Sequence, residues 1–270
     1  MPLKIGLVGC GAIGTEIAKA IDRGDIDADL VAVCDHNTAT AFALIDSLQK
    51  KPIKAKLDEL VALSDFVVEA ASQRAVPAIA RAALKNGKSL MIMSVGALAD
   101  ADFYREVKKL AKDHGSRVYI PSGAVSGLDG LKSASIGKIR KVTLTTTKNP
   151  EGLKGAPYIL EKKIDLKALT EPTVVFEGAA AEAVKAFPAN VNVAATLCLA
   201  AREGDVRVKI IADPHIHVNQ HEIVAEGDFG RISTRVENVP SPRNPRTSYL
   251  AALSAIATLR SAVEPIKIGT

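Results

Sequence analysis

An apolar run from Leu3 to Val8 leads straight into Gly9-Cys10-Gly11-Ala12-Ile13-Gly14, and beyond it Ile13, Ile17 and Ala20 recur at helical spacing. A G-x-G-x-x-G carries weight only between a strand and a helix, which is where it stands here. Gly9 permits the tight turn, Gly11 lets the backbone approach a pyrophosphate, and Gly14 lets the helix sit close against the strand. The anion then meets the unpaired amides and positive end of the helix at Ala12 and Ile13. A second apolar run, Leu30 to Cys34, ends at Asp35, which is placed to accept the hydroxyls of an adenosine ribose. The expected ligand is a dinucleotide, NAD by preference. NADP stays open because His36 and Asn37 adjoin the acid.

Apolar runs and amphipathic stretches alternate through the first 120 residues. Strands are predicted near 30–34, 65–70, 88–93 and 117–120, with helices near 38–49, 75–86 and 101–114. Such alternation predicts parallel strands joined by crossover helices, a Rossmann-type doubly wound α/β sheet. Its ligands bind beyond the carboxyl ends of the strands. The residues to inspect are therefore Ser72-Gln73, Ser94 to Ala97 with Gly96 at the turn, and Pro121 to Ala124.

After residue 125 strands crowd together, at 139–147, 173–178, 206–212, 217–226 and 229–236. That texture predicts a second, α+β domain with a mostly antiparallel sheet. Residues 148–172, rich in Lys, Pro and Gly, read as a long loop with at most a short helix, the kind often used as a lid or partner contact. Thr247 to Val263 reads as a closing helix that packs back on the nucleotide domain. The expected division is a dinucleotide domain over 1–122, a catalytic and dimerisation domain over 123–243, and a C-terminal helical segment over 244–270.

Bulk properties limit the partners. With 47% apolar and 24% charged residues the chain reads as a soluble globular protein, and no apolar stretch nears the ~20 residues of a membrane span. The first apolar run lacks the basic leader and cleavage site of a signal peptide, so a cytoplasmic protein without membrane partners is expected. The net charge of +5 is scattered, and aromatic residues make up only 4% of the chain. Neither a basic stripe nor a stacking platform for nucleic acid is present. Cys10, Cys34 and Cys198 show neither pairing nor zinc spacing and read as reduced structural thiols.

Together several stretches resemble the L-aspartate dehydrogenase family: GCGAIG at 9–14, EAASQRAV at 69–76, SVGAL at 94–98, SGAVSGLDG at 122–130, TTTKNP at 145–150, FEGAAAEAVKAFPANVNVAATL at 176–197, HEI at 221–223 and NPRTSYLAALS at 244–254. The resemblance covers nearly the whole chain. It implies NAD(P)-dependent oxidation of L-aspartate to iminoaspartate, which hydrolyses to oxaloacetate and ammonia or passes toward pyridine nucleotide biosynthesis. It also implies a catalytic His221 and dinucleotide contacts at Ala124 and Asn190. A second reading is another two-domain reductase, dihydrodipicolinate-reductase-like or sugar-dehydrogenase-like, and a third is a non-catalytic NAD sensor. The sugar class would show a lysine in an E-K-P motif where this chain has Ser94-Val95-Gly96.

Oxidising an amine with a nicotinamide requires a base for the amine proton and a clamp for the carboxylates. His221 suits the first task because imidazole titrates near neutral pH. A histidine on a strand is otherwise a hydrogen-bonded structural residue. His215, His217 and His221 also invite a metal reading. On one extended strand, however, His217 and His221 would stand about 13 Å apart at ~3.3 Å per residue, and the expected site contains no metal. Lys148 with Asn149, Asn192, and Arg243 or Arg246 are the candidates for carboxylate or substrate contacts, a lysine acting as a point charge and an arginine as a fork. Asn190 and Asn192 also have helix-opening chemistry. An exposed face on the second sheet predicts a homodimer.

Overall fold

The computed structural model describes residues 2–188, 191–202, 204–241 and 244–269. Two compact units divide the chain, one formed by 1–121 with 252–268, the other by 122–251 with 269–270.

In the first unit the elements run β1 (Leu3–Val8), α1 (Ala12–Asp22), β2 (Ala28–Cys34), α2 (Thr38–Asp46), β3 (Ile53–Lys54), α3 (Leu57–Leu63), β4 (Phe66–Glu69), α4 (Val76–Lys85), β5 (Ser89–Ile92), α5 (Ala101–Asp113) and β6 (Val118–Tyr119). Every pairing is parallel and the strand order is β3-β2-β1-β4-β5-β6. The chain winds outward from β1 in one direction and from β4 in the other. Ligands of such sheets bind at that reversal, beyond Val8 and Glu69. Strands buried on both faces need continuous apolar runs, and Leu7, Val67, Val68, Leu90, Met91 and Ile92 are fully buried. The unread elements are β3 and α3. A two-residue exposed edge strand and a seven-residue helix are too short to show periodicity.

The second unit contains α6 (Leu128–Ala134), β7 (Ile139–Lys148), α7 (Pro157–Glu161), β8 (Thr173–Ala179), α8 (Ala180–Ala186), α9 (Val191–Ala201), β9 (Asp205–Ala212), β10 (Asn219–Gly227), β11 (Gly230–Asn238) and a short pair, β12 (Pro240–Ser241) with β13 (Asn244–Ser248). Its five-stranded sheet has the order β11-β10-β7-β9-β8. Three of its pairings are antiparallel and β7 with β9 is parallel. Two residues suffice to join β10 to β11 as a hairpin, whereas the parallel pair needs the long crossover that carries α8 and α9. One sheet face, with Val142, Leu144, Val208, Ile210, Ile223 and Ala225, is buried in a core that also takes Ala194 and Leu197 of α9. The opposite face, with Thr143, Thr145, Thr147 and Val224, is half-buried.

The 148–172 segment differs from the expected lid. Leu153 and Ile159 are buried in the core, and Tyr158 stands 5.3 Å from Phe176 and 5.6 Å from Phe187 between ring centroids. Apolar burial of this kind fixes a segment that composition alone reads as loose. The last helix, α10 (Tyr249–Val263), enters the first unit at Ala252, where Ala255 and Leu259 are fully buried in the core with Ile5, Leu7 and Ile17. Among the described residues no helix is long and apolar enough to cross a membrane.

Candidate functional site

The glycine turn shows three different needs. Gly9 adopts φ +101°, and a Cβ there would stand 2.4 Å from the Ala70 carbonyl oxygen. At Gly14 a Cβ would lie 2.0 Å from the Gly9 carbonyl oxygen, so α1 can pack against the turn only with glycine. Gly11 is different: it caps α1 with φ −72°, open to any residue, and a Cβ would meet nothing within 4 Å. The protein's own packing does not require glycine at this exposed position. A ligand backbone approaching α1 would, which is how this turn fits a pyrophosphate. The amides of Ala12 and Ile13, in the first turn, lack helical partners in consequence of helix geometry.

Asp35 lies at the carboxyl end of β2, with its side chain 9% exposed. Its Oδ2 accepts from the Cys10 amide at 2.7 Å, and Oδ1 accepts from the Asn37 amide at 2.8 Å. The exposed His36 brings Nδ1 to 3.1 Å of Oδ1. A carboxylate so held keeps lone pairs for ribose hydroxyls. Burial, with the Asp35 and Cys34 neighbours, pushes the Cys10 thiol up to about 12, so it remains protonated.

At the ends of β4 and β5 stands a group that the sequence reading missed. Glu69 is fully buried, and its carboxylate accepts from the amides of Ala71, Met93 and Ser94 and from the Ser94 hydroxyl, at 2.8 to 3.1 Å. Burial raises its pKa against the opposing pull of those hydrogen bonds. The available signal was an acid closing the apolar run Phe66-Val67-Val68. Glu69 thereby ties together the two strand tips beside Ser72, which is exposed, Gln73, which is half-buried, and Gly96, which is buried in a 3-10 turn over Val95–Ala99.

In the second unit the register of β7 against β10 sets Thr146 opposite His221. Thr146 Oγ1 and His221 Nδ1 are 3.0 Å apart, with the two residues 1% and 6% exposed. Two positions further along the same face of β7, Lys148 is 8% exposed. Among the described residues no carboxylate pairs with its ammonium, and burial alone lowers its pKa. Burial and the Lys148 charge lower His221 from 6.5 to about 4. This revises the expectation of an imidazole titrating near neutral pH: the ring is a neutral base across the physiological range.

The remaining candidates are placed less centrally. Asn149 caps the 3-10 turn at Pro150–Leu153 through Oδ1, while its Nδ2 donates to the carbonyl of Ile216 at 3.1 Å. The amide is thus engaged in bracing the 213–218 turn. Asn192 is exposed in the first turn of α9, and Ala124 lies in the 121–127 loop, where its carbonyl accepts from Asn238 at 3.0 Å. Asn190, Arg243 and the side chain of Arg246 lie outside the described residues. His215 and His217 are not on the strand of His221. Pro214 and an Asp213 carboxylate accepting from the His215 amide put them in a turn before β10. Among the described residues no group of three His, Cys, Asp or Glu is arranged to hold a metal ion.

The chain is similar to known proteins in both sequence and fold. A family profile described as "Aspartate dehydrogenase, C-terminal" matches residues 129–262, and one described as "Homoserine dehydrogenase, NAD binding domain" matches 9–121. L-aspartate dehydrogenase of Methanosarcina acetivorans is 55% identical over 270 residues, covering 99% of this chain and 100% of that one. The chain belongs to the L-aspartate dehydrogenase family. Methanocella arvoryzae contributes another member, 53% identical over 99% of both chains. The crystal structure of aspartate dehydrogenase from Thermotoga maritima superposes with a TM-score of 0.77 at 28% identity, covering 100% of both chains. The NAD-binding profile falls on the first unit, which is thereby a pyridine nucleotide domain.

Proposed function

We propose that this chain is an NAD-dependent L-aspartate dehydrogenase, oxidising L-aspartate to iminoaspartate. One observation carries the reading beyond family membership: among the described residues Lys148 is buried without a carboxylate partner, on the same sheet face as the buried His221. A buried ammonium is costly unless paired, and a carboxylate of the substrate is the partner that it lacks. Gly9, Gly11, Ala12, Ile13, Gly14 and Asp35 would hold the dinucleotide, with Ser72, Gln73, Gly96, Ala124 and Asn190 as further contacts. Asn192 and Arg243 are further candidates for substrate contact, and Asn149 acts through the loop that it braces. When bound, the nicotinamide supplies the acceptor for the hydride of the substrate Cα–H. The carboxylate of Asp35 disfavours a 2′-phosphate, which is the basis for preferring NAD over NADP.

His221, neutral at physiological pH, takes the proton of the substrate ammonium, so that the amine lone pair can form the C=N bond as the hydride departs. Once that proton has passed to solvent, the same imidazole can activate the water that adds to the C=N carbon, releasing oxaloacetate and ammonia; alternatively the iminoaspartate feeds pyridine nucleotide synthesis. Hydride and proton both have acceptors, so the reaction calls for no metal. A homodimer through the half-buried sheet face and a cytoplasmic setting complete the proposal.

The test is a screen of L-amino and 2-hydroxy acids for NADH formation at alkaline pH. L-Aspartate is expected to be the substrate that turns over, with oxaloacetate and ammonia oxidising NADH in reverse. His221→Ala should lower kcat on the order of 10²–10⁴-fold with NADH binding retained. His215→Ala, His217→Ala and chelator treatment should have little effect. Robust turnover of a 2-hydroxy acid or sugar, without aspartate, would point to another reductase of this fold, and cofactor binding without turnover to a sensor.

A further inference from the structure

We propose that Thr146 is the positioning residue of the reaction, its hydroxyl accepting from Nδ1–H of His221 so that the lone pair is held on Nε2 for proton transfer. The inference rests on the reading of His221 as the base. The antiparallel register sets the two residues opposite each other on β7 and β10, both point to the buried face, and the Oγ1 to Nδ1 distance is 3.0 Å. Among the described residues, none bonds the other ring nitrogen, Nε2. A directly opposed pair on two central strands has little freedom, so the contact fixes the ring plane as well as the nitrogen.

The choice of a hydroxyl has a chemical consequence. A carboxylate at this position would also orient the imidazole, but its charge would stabilise the imidazolium and make the proton hard to pass on. Threonine orients without adding charge, and Lys148 on the same face opposes protonation. The same Nδ1–H···Oγ1 bond serves the neutral ring and the imidazolium, so proton uptake at Nε2 requires no reorganisation of the partner. Valine in place of threonine keeps the β-branched shape and removes only this bond.

The experiment compares Thr146→Val, Thr146→Ser and His221→Ala in the full-length protein. It measures kcat and KM for L-aspartate, NADH affinity, and the tautomer of His221 from nitrogen-15 chemical shifts. Thr146→Val should lose about tenfold or more in kcat, short of the ~10²–10⁴-fold expected for His221→Ala, and retain NADH affinity. Its His221 spectrum should change from one dominant Nδ1–H tautomer to a mixture, and Thr146→Ser should restore both rate and tautomer. A Thr146→Val enzyme within twofold of wild type, or with an unchanged tautomer, overturns the proposal while a large loss in His221→Ala leaves the base assignment standing. Near-normal turnover of His221→Ala overturns both.

Discussion

Asp35 Oδ2 accepts a 2.7 Å hydrogen bond from the Cys10 amide, so the acid closing the second strand also holds the middle of the glycine turn. On the proposed reading the same carboxylate also meets the ribose of the dinucleotide, and a mutation can separate that task from support of the loop. Asp35→Asn keeps an oxygen acceptor for Cys10 and removes the charge. Its NH₂ then faces the Asn37 amide, an exposed donor that water can satisfy, so it is expected to relax the preference for NAD over NADP with a smaller loss of unfolding midpoint than Asp35→Ser. Asp35→Ser is too short to reach the amide and should also cost about 1–2 kcal/mol through the unpaired donor. Specificity constants with both cofactors, beside denaturant melts of both variants, check the pair. An unchanged preference in both would show that another residue sets it.

A second prediction contrasts two glycines of one motif. Gly11→Ala adds a methyl into open space at an allowed backbone conformation, so the fold should melt as wild type. Cofactor binding should nevertheless weaken at least tenfold, because the methyl stands where a pyrophosphate would approach. Gly14→Ala places a Cβ 2.0 Å from the Gly9 carbonyl oxygen, and α1 must shift. It should lose stability by about 1–3 kcal/mol, as overpacking does. Equal melts for the two variants would contradict this division of labour.

Legibility in the sequence followed the strength of periodicity. The β1 run Leu3–Val8 and the helix α5 over Ala101–Asp113 were readable because burial on two faces or one face imposes a clear pattern. The pattern failed at β3 and α3, where the elements are shorter than a period can reveal, and at 148–172, where polar composition concealed the anchors Leu153 and Ile159. In the site, the residue types of His221 and Lys148 were legible and their environments were not. The protonation state of His221 depends on its burial and then on Lys148, both set by a strand register that no local spacing encodes. The spacing argument for His217 and His221 assumed one extended strand, whereas His215 and His217 lie in the turn after Asp213-Pro214, before β10 begins. Glu69 went unread because its four donors come from residues two to twenty-five positions away.

Glu69 also yields a third prediction, in which an apparently conservative change is costly. Oε1 accepts from the Ala71 amide and the Ser94 hydroxyl, and Oε2 from the Met93 and Ser94 amides. Glutamine has only one oxygen, and whichever way its amide is turned an NH₂ group faces at least one backbone donor. Glu69→Gln should therefore destabilise by about 1–3 kcal/mol despite removing a buried charge. A denaturant midpoint at or above the wild-type value would show that desolvation of the carboxylate outweighs its hydrogen bonds.

The last prediction concerns stability against pH. His221 is held at about 4 in the folded protein against 6.5 as the ordinary value, because burial and Lys148 disfavour the imidazolium. Above pH 6.5 the ring is neutral whether folded or unfolded and contributes no slope. As pH falls from 6.5 toward 4 the unfolded chain takes up a proton that the folded chain refuses, so stability falls over that window and the loss levels off below 4. The gap corresponds to about 3 kcal/mol. His221→Gln removes the titrating group, and its stability should decline less than wild type between pH 6.5 and 4, the difference being attributable to this residue. Lys148→Met removes the nearby positive charge and should raise the His221 pKa, narrowing the window. Denaturant melts at half-unit pH steps for the three proteins measure these slopes. Parallel curves for wild type and His221→Gln would mean that the imidazole titrates alike in both states and that its burial does not keep it neutral.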